Sequence, residues 1–357
     1  MTDLIIPTDQ GLYCPAGDFH IDPWRPVPRA VITHGHADHA RSGCGRYWGA
    51  APGLGLMRER IGYGAGIVPL AYGQRVEFGP TTVSLHPAGH VLGSAQVRVE
   101  HEGEVWVCSG DYKRDPDPTC EPFEVVPCDV FITEATFGLP VYRWQPTEEV
   151  AQEIFDWWQQ CKADGVTAIL HCYALGKAQR ILAELARLSS ETVYLHGAMT
   201  KLVKLYRDAG IKMLPTDAVG NQPKFFDWKG RLILAPPGAG GTPWMRRFKP
   251  FSAAFASGWM RVRGTRRREA YDRGFTLSDH ADWPSLLRTI EETGAKRVLA
   301  THGNTDALVA WCRERGIEAR ELKTEYEGEP TKADRDAADT SADAGVDSGV
   351  DPNGDAA

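Results

Sequence analysis

The sequence predicts an α/β protein, and three observations carry that reading. Up to about residue 135, short β-rich runs close in glycine-bearing turns; from about residue 147, apolar strands alternate with amphipathic helices. At 357 residues the chain has room for two domains or one large one with a sizeable core.

The strands of the first part are AVITH (30–34), TTVSLH (81–86), AQVRVE (95–100), EVWVCSG (104–110) and CDVFITE (128–134), each rich in β-branched or aromatic residues. A helix is then expected over EEVAQEIFDWWQQCKADG, with Thr147 as its cap and Gly165 as its end. VTAILH (166–171) follows as a buried strand, KAQRILAELARLS (177–189) as a helix, TVYLHG (192–197) as a strand and TKLVKLYRDAG (200–210) as a helix. This βαβα order predicts a parallel sheet flanked by helices. The last elements are a helix near SLLRTIEETG, a strand at KRVLATHG and a helix at DALVAWCRERG. From about Pro330 large apolar residues all but disappear, which predicts a disordered acidic tail over 330–357.

Composition narrows the class. Hydrophobic content of 42% and charged content of 24% are ordinary for a globular chain, and no apolar run of membrane-spanning length occurs. The opening MTDLIIPTDQG lacks a basic region followed by an apolar stretch, and the eight cysteines form no CxxC pair; both features predict a reduced, cytoplasmic setting. The net charge of −7 is concentrated in the tail, where residues from Glu325 onward carry ten acidic and two basic groups. In the near-neutral body, Pro243 to Arg273 carries nine basic residues, including Arg246, Arg247, Arg261 and Arg263, against Glu269 and Asp272. Interleaved with Trp244 and Trp259, these read as an electrostatic and stacking footprint for a polyanion.

The chemistry concentrates in HGHADH, residues 34–39. Residues i and i+2 of an extended end project to one side, so His34 and His36 can share a cation. Asp38 and His39 follow where the chain turns, and can face a neighbouring position. Further donors stand at the ends of predicted strands or in a glycine loop: His90 in HPAGHVLGS, Asp111 in VCSGDYK and His302 in ATHGNTD. Isolated histidines are more often structural, which is the reading for His20, His86, His101, His171 and His196. Mixed nitrogen and oxygen donors suit zinc, with manganese or magnesium as alternatives.

HxHxDH after a strand, then a lone histidine and an aspartate, resembles the metallo-β-lactamase superfamily. The resemblance implies an αββα sandwich, two sheets face to face with helices outside, holding two divalent ions. It assigns His34, His36 and His90 to the first, Asp38, His39 and His302 to the second, and Asp111 to a bridge. Asp22 in FHIDPW matches an early aspartate that orients the site from behind the ligands. Glu134 in FITEATFG, His280 in LSDHADW and His302 match, in order, the three extra motifs of the β-CASP nucleases. That subgroup implies a first metallo-β-lactamase portion over 1–144, an inserted α/β β-CASP domain over 145–268, and a second metallo-β-lactamase portion over 269–329. Asp38, Asp111, His280 and Glu134 then rank as catalytic, with His280 aiding the leaving oxygen and Glu134 orienting it.

Four longer strings, GLYCPAGDFHIDPWRPVPRAVITHGHADH, PPGAGGTPWMRRF, FASGWMRVRG and DRGFTLSDHADW, resemble the bacterial DNA ligase-associated exonucleases. Artemis-type repair nucleases are the wider relatives. The resemblance implies a DNA exonuclease of single strands or free ends, 5′→3′ in polarity, with a DNA ligase and a helicase as partners. Tyr173, Gly176 and Lys177 match a string of those DNA nucleases at a strand-to-helix turn, where a terminal phosphate would be gripped. The sequence departs from the DNA-type pattern at His302, a histidine that RNA-type members keep, so an RNA-processing nuclease stays open. A nucleic-acid-binding protein with structural metals is the reading from another class.

Overall fold

The computed structural model describes residues 3–262 and 271–324. Arg263, three further arginines of the basic segment (266–268), the expected domain boundary at 268 and the acidic tail lie outside the described residues.

Three sheets organise the chain. The first contains β1 (Ile6–Thr8), β2 (Gly11–Cys14), β3 (Phe19–Ile21), β4 (Arg29–Val31), β5 (Arg46–Ala50) and β6 (Ile67–Leu70) in sequence order. Pairing is antiparallel for β1 to β3 and parallel from β3 onward. The second sheet contains β7 (Val76–Phe78), β8 (Thr81–Pro87), β9 (Ala95–His101), β10 (Glu104–Cys108) and β11 (Val130–Ala135), and is completed late in the chain by β18 (Arg297–Gly303) and β19 (Glu318–Glu321). Its first four strands are antiparallel hairpins and its last four pair in parallel.

One apolar cluster draws on both sheets, with Leu12, Phe19, Ile21 and Val31 from the first and Val83, Val97, Trp106, Ile132 and Leu299 from the second. The other side of the first sheet packs on α1 (Leu54–Ile61) through Ala30, Tyr47 and Met57. The other side of the second packs on α5 (Trp283–Thr293) and α6 (Asp306–Glu314) through Phe131, Leu286, Ile290, Val298 and Leu308.

Between β11 and α5 the chain builds the third sheet, all parallel, in the order β14-β13-β15-β12-β16-β17. Its strands are β12 (Thr167–His171), β13 (Val193–Leu195), β14 (Thr216–Ala218), β15 (Leu232–Ala235), β16 (Phe251–Ala256) and β17 (Arg273–Phe275). Helices α2 (Thr147–Ala163), α3 (Lys177–Leu185) and α4 (Gly197–Asp208) cover it through Trp157, Trp158, Ile181, Leu182, Met199 and Val203. Trp158 is fully buried and its indole N–H donates to the Gly230 carbonyl at 3.0 Å. An aromatic of this size removes roughly 150–250 Å² from water, on the order of 5 kcal/mol of transfer free energy before entropy is counted.

Local expectations shift in three places. The strand expected at AVITH ends at Val31, so His34 to His39 occupy a loop held by Ala40 N–H to the His36 carbonyl. Pro146, not Thr147, takes the cap position of α2, because the Thr147 hydroxyl accepts from Arg180. Helix α4 starts three residues before the expected Thr200, since the His196 ring accepts the Ala198 N–H at 3.2 Å.

Candidate metal centre

The histidine loop lies between the first two sheets. Ile32 N–H donates to the Trp48 carbonyl on one side, and Ala95 N–H donates to the Thr33 carbonyl on the other. Gly110, just past β10, has φ +56°, and a Cβ there would stand 2.7 Å from that of Thr33. A glycine is therefore what lets the Asp111 loop approach the histidine loop.

Four donors converge. His34 Nε2 lies 2.9 Å from His36 Nδ1, which lies 3.1 Å from His90 Nε2, and Asp111 Oδ2 sits 3.6 Å from His34 and 3.8 Å from His90. Ligand atoms of His34, His36, His90 and Asp111 all fall within 4.8 Å of one another. The outer ring nitrogens fix the tautomers. His90 Nδ1–H donates to the Asp279 carbonyl at 2.7 Å and His36 Nε2–H to the Leu175 carbonyl at 3.3 Å. His34 Nδ1 meets the Thr33 hydroxyl at 3.0 Å, and that hydroxyl donates to Asp22. Three inward nitrogens thus present lone pairs to a shared point, an arrangement a divalent cation relieves. Burial pushes the His34 and His90 imidazoles well below their ordinary pKa, which keeps them as neutral donors. Burial alone would raise Asp111, but His39 and His280 outweigh it and hold its carboxyl well below the carboxylate range.

The second expected set is looser. His39 Nε2 is 3.5 Å from Asp111 Oδ2 and 3.6 Å from Asp38 Oδ2, and the His39 and His302 ring centroids are 5.7 Å apart. Asp38 is half exposed. Behind them, His39 Nδ1–H donates to Asp22 Oδ2 at 2.7 Å, and the other Asp22 oxygen accepts the Thr33 N–H at 2.7 Å. One carboxylate therefore orients His39 directly and His34 through Thr33.

Beside Asp111 stands a carboxylate–imidazole pair. His280 Nδ1–H meets the Glu134 oxygens at 2.9 and 3.1 Å, and Glu134 also accepts the Tyr112 N–H at 2.7 Å and the Thr136 hydroxyl. Burial opposes a charged His280, but Glu134 and Asp111 overcome it and push its pKa up to about 9. The Trp144 indole fixes the loop by donating to the His280 carbonyl at 2.9 Å.

At Tyr173, Gly176 and Lys177, where a phosphate grip is expected, the structure shows internal partners. Lys177 is 3% exposed and its ammonium lies 2.8 Å from Asp279 Oδ2, so its charge is already matched inside the protein. The Gly176 N–H donates to Gln179 Oε1 at 2.7 Å, and a Cβ at this residue, φ +86°, would meet Val91 at 2.6 Å. This glycine permits close packing against Val91. Tyr173 is half-buried, its ring 6.3 Å from that of Phe255.

Of the expected nucleic-acid contacts, Arg246, Arg247 and Arg261 are exposed, and Arg261 Nε donates to the Val141 carbonyl at 3.4 Å. Trp259 is half-buried 4.6 Å from Phe137, whose ring lies 6.0 Å from that of His280. Trp244 packs on His196 and Phe248 at 4.8 and 4.6 Å. Trp259, His280, Leu175 and the loop leading to Arg246 all follow carboxyl ends of strands in the third sheet, the edge where open parallel sheets bind ligands. Sequence reasoning missed Asp279, Arg180 and Asp117. Asp279 stands next to His280 in LSDHADW, but nothing local shows its partners on α3.

A four-donor His/Asp cluster of the kind that could hold a metal ion thus stands beside the Glu134–His280 pair, on paired sheets. No family model matches the chain. A probable DNA ligase of Opitutus terrae is 33% identical over 314 residues, which cover 87% of this chain and 30% of that protein. A ribonuclease of Thermus thermophilus is 30% identical over 158 residues, 43% of this chain and 33% of the relative. Cleavage and polyadenylation specificity factor 73 of Drosophila melanogaster is 32% identical over 111 residues, 30% of this chain and 16% of the relative. The chain thus spans about a third or less of the length of these curated relatives. A crystal structure of a protein of unknown function from Enterococcus faecalis shares the fold, with TM-score 0.54 and 11% identity over 84% of this chain and 80% of that one. These similarities to a probable DNA ligase and to several ribonucleases are consistent with a β-CASP metallo-β-lactamase nuclease family. Among the described residues no helix is long and apolar enough to cross a membrane.

Proposed function

We propose that the protein is a metal-dependent DNA exonuclease that trims single strands or free ends during repair. The observation that carries this reading is the convergence of His34, His36, His90 and Asp111 beside the Glu134–His280 pair. Divalent cations bound there, zinc by donor type, would supply Lewis acidity toward a phosphate and make an adjacent water easier to deprotonate. His34, His36 and His90 would hold one, Asp38, His39 and His302 the other, and Asp111 would touch both.

The chain's own groups do the rest. Glu134 holds the His280 ring by Nδ1, which leaves Nε2–H turned away from the carboxylate to steady a charged oxygen or protonate it as it leaves. Trp259 and the exposed Arg246, Arg247 and Arg261 would guide a strand by stacking and charge. With Lys177 paired internally, 5′→3′ polarity rests on the resemblance to Artemis-type nucleases alone. The domain reading is an αββα sandwich over 1–144 and 269–329, interrupted by a β-CASP unit over 145–268, working in the cytoplasm with DNA ligase and helicase partners.

DNA is favoured because a relative matched over 87% of this chain bears a DNA ligase name. His302 and the ribonuclease names of shorter matches favour an RNA-processing nuclease as the second reading. Matched DNA and RNA strands, labelled at either end and digested with zinc, manganese or magnesium in turn, separate the two. Shortening of the DNA from its 5′ end supports the first; turnover of the RNA alone transfers the assignment to the second. Binding without turnover under every metal rejects both.

A further inference from the structure

Two imidazoles of the metal cluster depend on carbonyls from outside the two paired sheets. His36 Nε2–H is held by Leu175, in the loop between β12 and α3, and His90 Nδ1–H by Asp279, in the segment after β17. Both carbonyls hang from the third sheet. Whatever fixes them fixes the aim of His36 and His90.

Asp279 is itself gripped from α3. Lys177 Nζ lies 2.8 Å from its Oδ2, and an Arg180 terminal nitrogen lies 3.3 Å from its Oδ1. The same Arg180 nitrogen donates to the neighbouring Ser278 carbonyl, and the other terminal nitrogen donates to the Thr147 hydroxyl at the start of α2. Arg180 Nε stands 3.4 Å from Asp117 Oδ2, within ion-pair reach though outside hydrogen-bond geometry, and Asp117 also pairs with Lys113 at 3.7 Å. Arg180, Lys177 and Asp279 are 2%, 3% and 4% exposed. One guanidinium therefore joins the loop that follows Asp111, the helices over the third sheet, and the backbone carbonyl that accepts the His90 N–H.

Burying this many charges is costly, and apolar side chains of the same volume often serve stability as well or better. A planar fork with five donors does something apolar packing cannot, which is to fix a backbone segment in position and direction. We propose that Arg180 is a positioning residue for the metal centre: by anchoring Ser278–Asp279 and the first turns of α3, it sets the His90 and His36 rings, so cation affinity depends on docking of the third sheet. By reciprocity, a bound cation tightens that docking.

The inference rests on the metal-centre reading, and its test separates the two. Zinc affinity of the full chain is measured by competition with a chromogenic chelator for wild type, Arg180→Met, Arg180→Lys and Asp279→Asn. Melting temperatures are taken with and without zinc. Expected is a weaker affinity in Arg180→Met and Asp279→Asn, approaching the roughly 10–100-fold that losing an outer partner of a ligand costs. Arg180→Lys should recover part of the loss, and the zinc-induced rise in melting temperature should shrink in proportion. If Arg180→Met does not fold, the near-isosteric Asp279→Asn supplies the answer. Variants that melt earlier yet bind zinc within twofold of wild type would make Arg180 a structural staple only and overturn the proposal. Wild type that binds no zinc would instead sink the metal-centre reading.

Discussion

Glu134 and His280, 146 residues apart, meet at 2.9 Å, with the carboxylate fully buried and the imidazole a quarter exposed toward the site. Such a pair acts as one unit, since the carboxylate sets both the direction and the charge of the ring. Glu134→Gln should lower kcat by about 10²-fold or more with little change in KM, the range expected when a proton donor is lost. Glu134→Gln and His280→Gln combined should cost little more than either alone. Multiplying losses in steady-state cleavage assays would show that the two residues act separately.

Asp22 stands behind the expected ligands, where it holds His39 directly and His34 through Thr33. Asp22→Asn should weaken cation binding about 10–100-fold, by the same reasoning about outer partners. Chelator competition resolves this, and an unchanged affinity would remove the orienting role.

The pH dependence of stability follows from His171, fully buried with its Nδ1–H donated to the Pro236 carbonyl at 3.1 Å. Burial lowers its pKa from 6.5 to about 4. Between those values the unfolded chain binds the proton and the folded chain does not, so stability is lost as pH falls through that window. Denaturant unfolding at pH 7 and pH 4.5 should show a wild-type loss on the order of 2–3 kcal/mol larger than in His171→Asn. Parallel curves for the two proteins would contradict the assignment.

Arg246 and Arg247 project into solvent from a single turn between β15 and β16. If they track a strand's backbone, the double alanine variant should weaken DNA binding alike for all sequences. Its dependence of log affinity on log salt should flatten by about 0.7 for each phosphate that the variant leaves unneutralised. An unchanged slope would move the binding track elsewhere.

How much of this is legible in the sequence depends on the range of the interactions. HGHADH declares itself because four donors lie within six residues, and the βαβα alternation of the third sheet because it is periodic. His90, Asp111, Glu134, His280 and His302 stand out by strand-end position and resemblance, and the structure brings them to one edge of the paired sheets. Lys177 is read incompletely for the opposite reason. A Gly-Lys pair opening a helix looks like an anion site until Asp279, 102 residues later, arrives to neutralise it. Thr147 likewise reads as a cap locally, but its hydroxyl accepts from Arg180, 33 residues on. Long-range polar partners leave no periodic trace, so the outer partners of the ligands stay hidden.

The most direct measurement is digestion of an end-labelled single DNA strand by wild type and Asp111→Ala side by side, with a divalent metal and then with chelator. Wild type should shorten the strand stepwise until chelator stops it, and Asp111→Ala should leave the strand intact while still binding it. Cutting by Asp111→Ala at the wild-type rate, or wild-type cutting indifferent to chelator, would contradict a metal-dependent nuclease centred on Asp111.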